Sequence, residues 1–132
     1  MNHPVTTVFT IASWKEDPYD EIAHGPKLTR ARVEKTFSGD LAGTSTVEYL
    51  MMHRPDGTAA FVGFEHVTGV LRGRRGSAVL RHEGTFEAGT AHTQWIVMGG
   101  SGTEDWRSLR GAGSFSVGHA PEYAVTLNLV LD

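Results

Sequence analysis

Glu65 and His82 are the residues whose types and positions point most directly to chemistry. A carboxylate and an imidazole inside an apolar protein can pass a proton, form an ion pair or orient a polar group of a ligand. Glu65 stands in FVGFEHVTG, residues 61–69, next to His66. Neighbours on a strand point to opposite faces, so only one of the two enters a core. The turns fix which. A two-residue loop at Ala88–Gly89 pairs Glu87 with Thr90 and, further along, His82 with Trp95. One face of that hairpin then carries Leu80, His82, Gly84 and Phe86 with Ala91, Thr93, Trp95 and Val97, whereas the other carries Arg81, Glu83, Thr85, His92 and Gln94. A two-residue turn at Arg72–Gly73 next sets Gly63 opposite His82 and Glu65 opposite Leu80. Glu65 is therefore expected inside, one diagonal step from His82 and within side-chain reach, with His66 and His92 outside.

The strand before it leaves two registers open. PDG at 55–57 favours a three-residue loop with a left-handed Gly57, which lines the interior with Val47, Tyr49, Met51 and His53. A two-residue loop would instead turn Glu48 inward against Glu65, and the two carboxylates would titrate as a coupled pair. Burial raises the pKa of an unpaired Glu65, so the site calls for a partner, a water or a ligand. Glu65 and His82 are the candidate catalytic pair; Trp95, Tyr49 and Phe61 are the candidate ligand-binding walls, with Glu48 a secondary contact.

These residues need a scaffold of strands. Val5–Lys15 is expected as the first strand and EDPYDEIAHGP as a loop. Lys27–Ser38 alternates, with Ala31, Val33 and Phe37 on one face and Arg30, Arg32 and Glu34 on the other. GDLAG reads as a turn, followed by strands over Thr44–Arg54, the segment containing Glu65, Gly76–Glu87, Thr90–Met98, Gly111–Val117 and Tyr123–Leu131. Met98–Leu109 reads as a loop with one helical turn near Glu104–Ser108. About eight strands with short connections define an all-β chain, best closed as a single antiparallel β-barrel over residues 1–132.

Composition excludes several classes. The chain has 132 residues, 39% hydrophobic and 20% charged, a size and balance that suit one globular domain. A net charge of −3 and a pI near 6.1 give no electrostatic footprint for nucleic acid, and the short RGRR at 72–75 reads as a solvated turn. With no cysteine, thiolate nucleophiles and disulfides are excluded, which fits a cytoplasmic protein, as does the lack of a secretory leader pattern. No apolar run approaches the roughly 18 residues of a membrane helix. None of the seven histidines stands at metal-ligand spacing, and no cofactor is implied. GGSGT lacks the lysine of a phosphate-binding loop, and Ser101 lacks a nucleophile elbow. Trp14, Trp106 and Tyr123 read as barrel plugs or rim packing.

The segments SWKEDPYDE, KLTRA, FSGDLAGTSTVEYLM, RPDGTAAFVGFEHVTGVLRGRRGS and MGGSGTEDWRSLRGAGSF follow one another in an order that resembles a bacterial family of small single-domain proteins of unknown function. The combined pattern GDLxGxxxxEY, FxGxExxxG and GSGTxxxxxLRGxG carries the resemblance, from about Phe9 to Leu129. It implies an allene oxide cyclase-like barrel, the group that also holds plant dirigent proteins. Function does not follow from fold at that distance, and no catalytic residue is carried over. Three readings remain. The first is non-covalent binding of a small, mostly apolar molecule in the barrel. The second is a cofactor-free isomerase or cyclase, with Glu65 as base or electrostatic stabiliser and His82 as proton partner. The third is an interaction module with a filled barrel, whose outer Val62, Phe64, Val70 and Ile96 pack in a homo-oligomer.

Overall fold

Alternation of apolar and polar residues along strands rich in Val, Thr, Phe and Tyr buries one face of every strand, and the only way to leave no unpaired edge is to close the sheet. The computed structural model describes residues 2–132 and does so with nine antiparallel strands. They are β1 (Asn2–Glu21), β2 (Lys27–Gly39), β3 (Leu41–His53), β4 (Ala59–Leu71), β5 (Arg74–Glu87), β6 (Thr90–Val97), β7 (Thr103–Glu104), β8 (Arg110–Val117) and β9 (Tyr123–Val130). Strands β1 to β6, β8 and β9 pair in a ring that closes where β4 meets β5 and β1 meets β9, while the short β7 adds to β5 outside it. No helix among the described residues is long and apolar enough to cross a membrane.

The expected hairpins are present, with differences at three connections. β1 runs through EDPYDE, which the sequence reading assigned to a loop. Beyond Phe9 this part of β1 pairs only with β2, so Pro18 sits on a free edge, where its missing N–H removes no ladder bond. GDLAG is not a wide turn. β3 begins at Leu41, and Gly43 packs against Gly69 on β4 so closely that a Cβ at either would strike the opposite backbone. The 98–109 connection forms reverse turns closed by Trp106 N–H to Thr103 O at 2.9 Å and Leu109 N–H to Trp106 O at 3.0 Å. The positive φ of Glu104 (52°) breaks the right-handed path that the expected helical turn required.

The barrel has one solid end and one open end. At the solid end Leu41, Leu71, Val97, Leu109 and Leu129 pack around Trp106, whose indole N–H donates to Arg74 O at 2.8 Å. At the other end lie the β3–β4, β5–β6 and β8–β9 turns. On the outside, Val62 and Phe64 are exposed together with Leu50, whereas Val70 and Ile96 are half-buried.

Candidate functional site

The polar centre is assembled by four adjacent strands. β3 and β4 are joined by the expected three-residue loop at 55–57: Arg54 N–H donates to Thr58 O at 2.8 Å, Gly57 N–H donates to Arg54 O at 3.1 Å, and Gly57 is left-handed with φ of 90°. This loop sets Val47 opposite Glu65 and turns Tyr49, Met51 and His53 inward, as expected. Glu48 consequently faces out, correcting its secondary placement as a ligand contact. It lies 3.6 Å from Arg30 Nε and 3.5 Å from Arg32 Nη1 on the outer face and does not border the cavity. Glu65 pairs with Leu80, and His82 with Gly63 and Trp95, as the turns imply. Both side chains are fully buried, with His66 and His92 exposed.

A continuous chain of bonds links these groups. His82 Nε2 lies 2.6 Å from Glu65 Oε1, and His82 Nδ1 lies 2.9 Å from Tyr49 Oη. Lys35 Nζ donates to Glu65 Oε1 at 3.4 Å, and Ser45 Oγ donates to Glu65 Oε2. Burial alone would raise the Glu65 carboxyl, but the Lys35 ammonium and the bonds from His82 and Ser45 outweigh it and hold the group down at about 2. Burial pushes the Lys35 ammonium below its ordinary value, against the pull of Glu65. Burial also lowers His82, a shift that Glu65 opposes and Lys35 assists, so the ring is neutral. One tautomer satisfies both bonds of a neutral ring: Nε2–H donates to Glu65 and Nδ1 accepts from Tyr49. Burial, then the nearby Glu65 charge, raises the Tyr49 phenol, which stays protonated as that donor requires.

Local glycines make this packing feasible. A Cβ at Gly63 would come within 2.9 Å of the Tyr49 ring, and one at Gly84 within 2.8 Å of Phe61 Cε2. Small residues on the inner face thus give the aromatic rings their space. Removing one link of the chain tests it. Tyr49→Phe leaves His82 Nδ1 buried without a donor and is expected to cost about 1–2 kcal/mol, measured by urea unfolding, with the fold retained.

Above this centre is a cavity of about 420 Å³ that reaches the open end of the barrel at Gly57, Gly118 and His119. Its walls include Phe9, Phe61, Trp95, Phe115 and Tyr123. Trp95, Tyr49 and Phe61 border it, as expected from the sequence. Glu65 and His82 do not; they lie behind Lys35, Tyr49 and Trp95, which they contact and which do face the cavity. Lys35 Nζ stands 4.5 Å from the Phe9 ring centre and 4.6 Å from that of Trp95, a cation held between two π faces. Among the described residues its only hydrogen bond goes to Glu65. Among the described residues the buried indole N–H of Trp95 has no acceptor.

Sequence reasoning missed Lys35 and Ser45, although the signal was present: Lys35 continues the inward series Ala31, Val33, Phe37, and Ser45 the series Val47, Tyr49. It also missed a second cluster at the rim. Glu16 Oε2 accepts from Thr29 Oγ1 at 2.7 Å and meets His53 Nε2 at 2.7 Å, and Glu16 Oε1 accepts from Trp14 Nε1 at 3.0 Å. Burial opposes ionisation of Glu16, but the bonds from Thr29, Trp14 and His53 prevail and lower its pKa. Among the described residues no cluster of His, Cys, Asp or Glu could hold a metal ion.

Fold and site define a small closed antiparallel β-barrel whose ion-paired interior forms the floor of an end-opening, aromatic-walled cavity. The chain belongs to the DUF3224 family of proteins of unknown function, whose pattern it matches over residues 5–129. It is similar to a DUF3224 protein of unknown function from Shewanella oneidensis MR-1, known from a crystal structure at 1.84 Å resolution. The two are 28% identical, with a TM-score of 0.79 over 100% of this chain and 99% of the other. No curated protein matches the chain.

Proposed function

We propose that the protein binds a small, mostly apolar molecule that carries one hydrogen-bond acceptor. The observation behind this reading is the 420 Å³ aromatic-walled cavity with Lys35 Nζ at its floor. The volume lies within the range of small-ligand sites, roughly 300–1,000 Å³. The Lys35 ammonium, with one hydrogen bond among the described residues, favours a ligand oxygen, and the apolar walls favour a ring or short hydrocarbon body. A neutral acceptor suits the floor better than an anion, because Lys35 and Glu65 already balance in charge and an added carboxylate would be buried unpaired.

The isomerase reading has less support. Glu65 is held as a carboxylate by Lys35, His82 and Ser45 and does not border the cavity, so it is poorly prepared to take a proton from a ligand. A bacterial source is in keeping with the Shewanella relative, and the cysteine-free sequence with a reducing cytoplasm. Kinship with the allene oxide cyclase-like barrels remains what the sequence resemblance implies.

Calorimetric titration with 2-naphthalenemethanol tests the reading. Saturable one-to-one binding is expected, weakened about tenfold or more by Ala91→Trp, which fills the cavity from a half-buried wall position. Equal affinity in the two proteins would remove the cavity as the binding site.

A further inference from the structure

We propose that Lys35 captures small apolar aldehydes in the cavity as a Schiff base, making carbonyl compounds the ligand class of the barrel. The inference deepens the binding reading above and rests on it.

The chain has three lysines, and they differ sharply in setting. Lys15 and Lys27 are exposed, whereas Lys35 is 4% exposed and borders the cavity. Its amine is the sole side-chain amine that an aldehyde held between Phe9, Phe61 and Trp95 would meet. An apolar setting of this kind raises the fraction of free amine, which is the nucleophile, and burial of Lys35 works in that direction. Arginine in the same place would pair with Glu65 permanently and could not react.

Charge and atoms balance at each step. Burial leaves a fraction of Lys35 as free amine, its proton released to solvent at the open end of the cavity. The free amine adds to the carbonyl carbon and gives a carbinolamine. Its hydroxyl takes up a proton from solvent and leaves as water, and the nitrogen becomes a protonated imine. One positive charge stands where the ammonium stood, so Glu65 keeps its counter-ion and no unpaired charge is buried.

The test incubates the intact protein with 2-naphthaldehyde and sodium cyanoborohydride, which reduces an imine to a stable secondary amine, and locates the adduct by peptide mass spectrometry. The corresponding alcohol, 2-naphthalenemethanol, is titrated in parallel, because it occupies the cavity without forming an imine. Lys35 is expected to gain one naphthylmethyl group about tenfold or more faster than Lys15 and Lys27, because the cavity holds the carbonyl against its amine. Excess alcohol should slow labelling at Lys35 alone, and K15R/K27R should keep the adduct. Labelling at equal rates on all three lysines, or an unmodified Lys35 in a protein that binds the alcohol, would overturn the Schiff base and leave the binding reading standing. An unmodified Lys35 in a protein that does not bind the alcohol would overturn both.

Discussion

Glu65→Leu is expected to cost about 3–5 kcal/mol of folding stability, because it leaves the Lys35 ammonium buried without its counter-charge. The two groups are 0% and 3% exposed at the side chain, so solvent does not screen them. Lys35→Met should cost a comparable amount by stranding the carboxylate, softened where His82 and Ser45 still donate to it. The double variant Glu65→Leu/Lys35→Met should recover much of the loss, since it removes both charges and replaces them with apolar volume. Urea unfolding of the four proteins completes the cycle. Strictly additive losses would mean that the two charges do not depend on each other, contrary to the geometry.

Acid should weaken the protein in a defined window. The Glu65 carboxyl sits at about 2 in the fold against an ordinary 4.5, so its contribution is complete above about pH 4.5 and is lost as pH falls toward 2. The expected loss is of order 3 kcal/mol. His82 acts in the same direction from higher pH. Its folded pKa lies below the ordinary 6.5, so the unfolded chain binds that proton first and stability falls as pH drops below about 6.5. The Glu65 share is isolated by comparing wild type with Glu65→Gln by thermal unfolding between pH 6 and pH 2. The stability gap between them should close as pH falls through that window. A gap that stays constant would show that Glu65 is not held ionised by the fold.

Much of this arrangement was legible in the sequence, and the reasons are local. The two-residue turns at Arg72–Gly73 and Ala88–Gly89 fix register, and a fixed register with strict alternation was enough to put Glu65 and His82 on the inner face and Trp95 beside His82. The three-residue loop that PDG favours settled the Glu48 question, because it fixes the register that turns Glu48 outward. Lys35 was legible too, on the same alternation as Ala31 and Val33, but a lone lysine among arginines reads as part of a solvated face until its partner two strands away is known. The rim cluster was not legible. β1 carries a bulge between Ile11 and Ser13, where Ala12 is the extra residue. Phe9 is inward before it, and Trp14 and Glu16 face the cavity after it. A single inserted residue reverses the parity of everything downstream, and nothing in IASWKE announces it.

The central claim is that the barrel holds a ligand above the Lys35–Glu65 pair. The most direct measurement is a carbon-13 methyl NMR titration with 2-naphthalenemethanol. The account predicts saturable shifts at the cavity methyls of Met51, Ala59, Ala91 and Val117 and at the Lys35 side chain, with the outer methyls of Leu50, Val62 and Val70 unmoved. Shifts confined to those outer methyls, or none at the cavity up to the solubility limit of the alcohol, would contradict it.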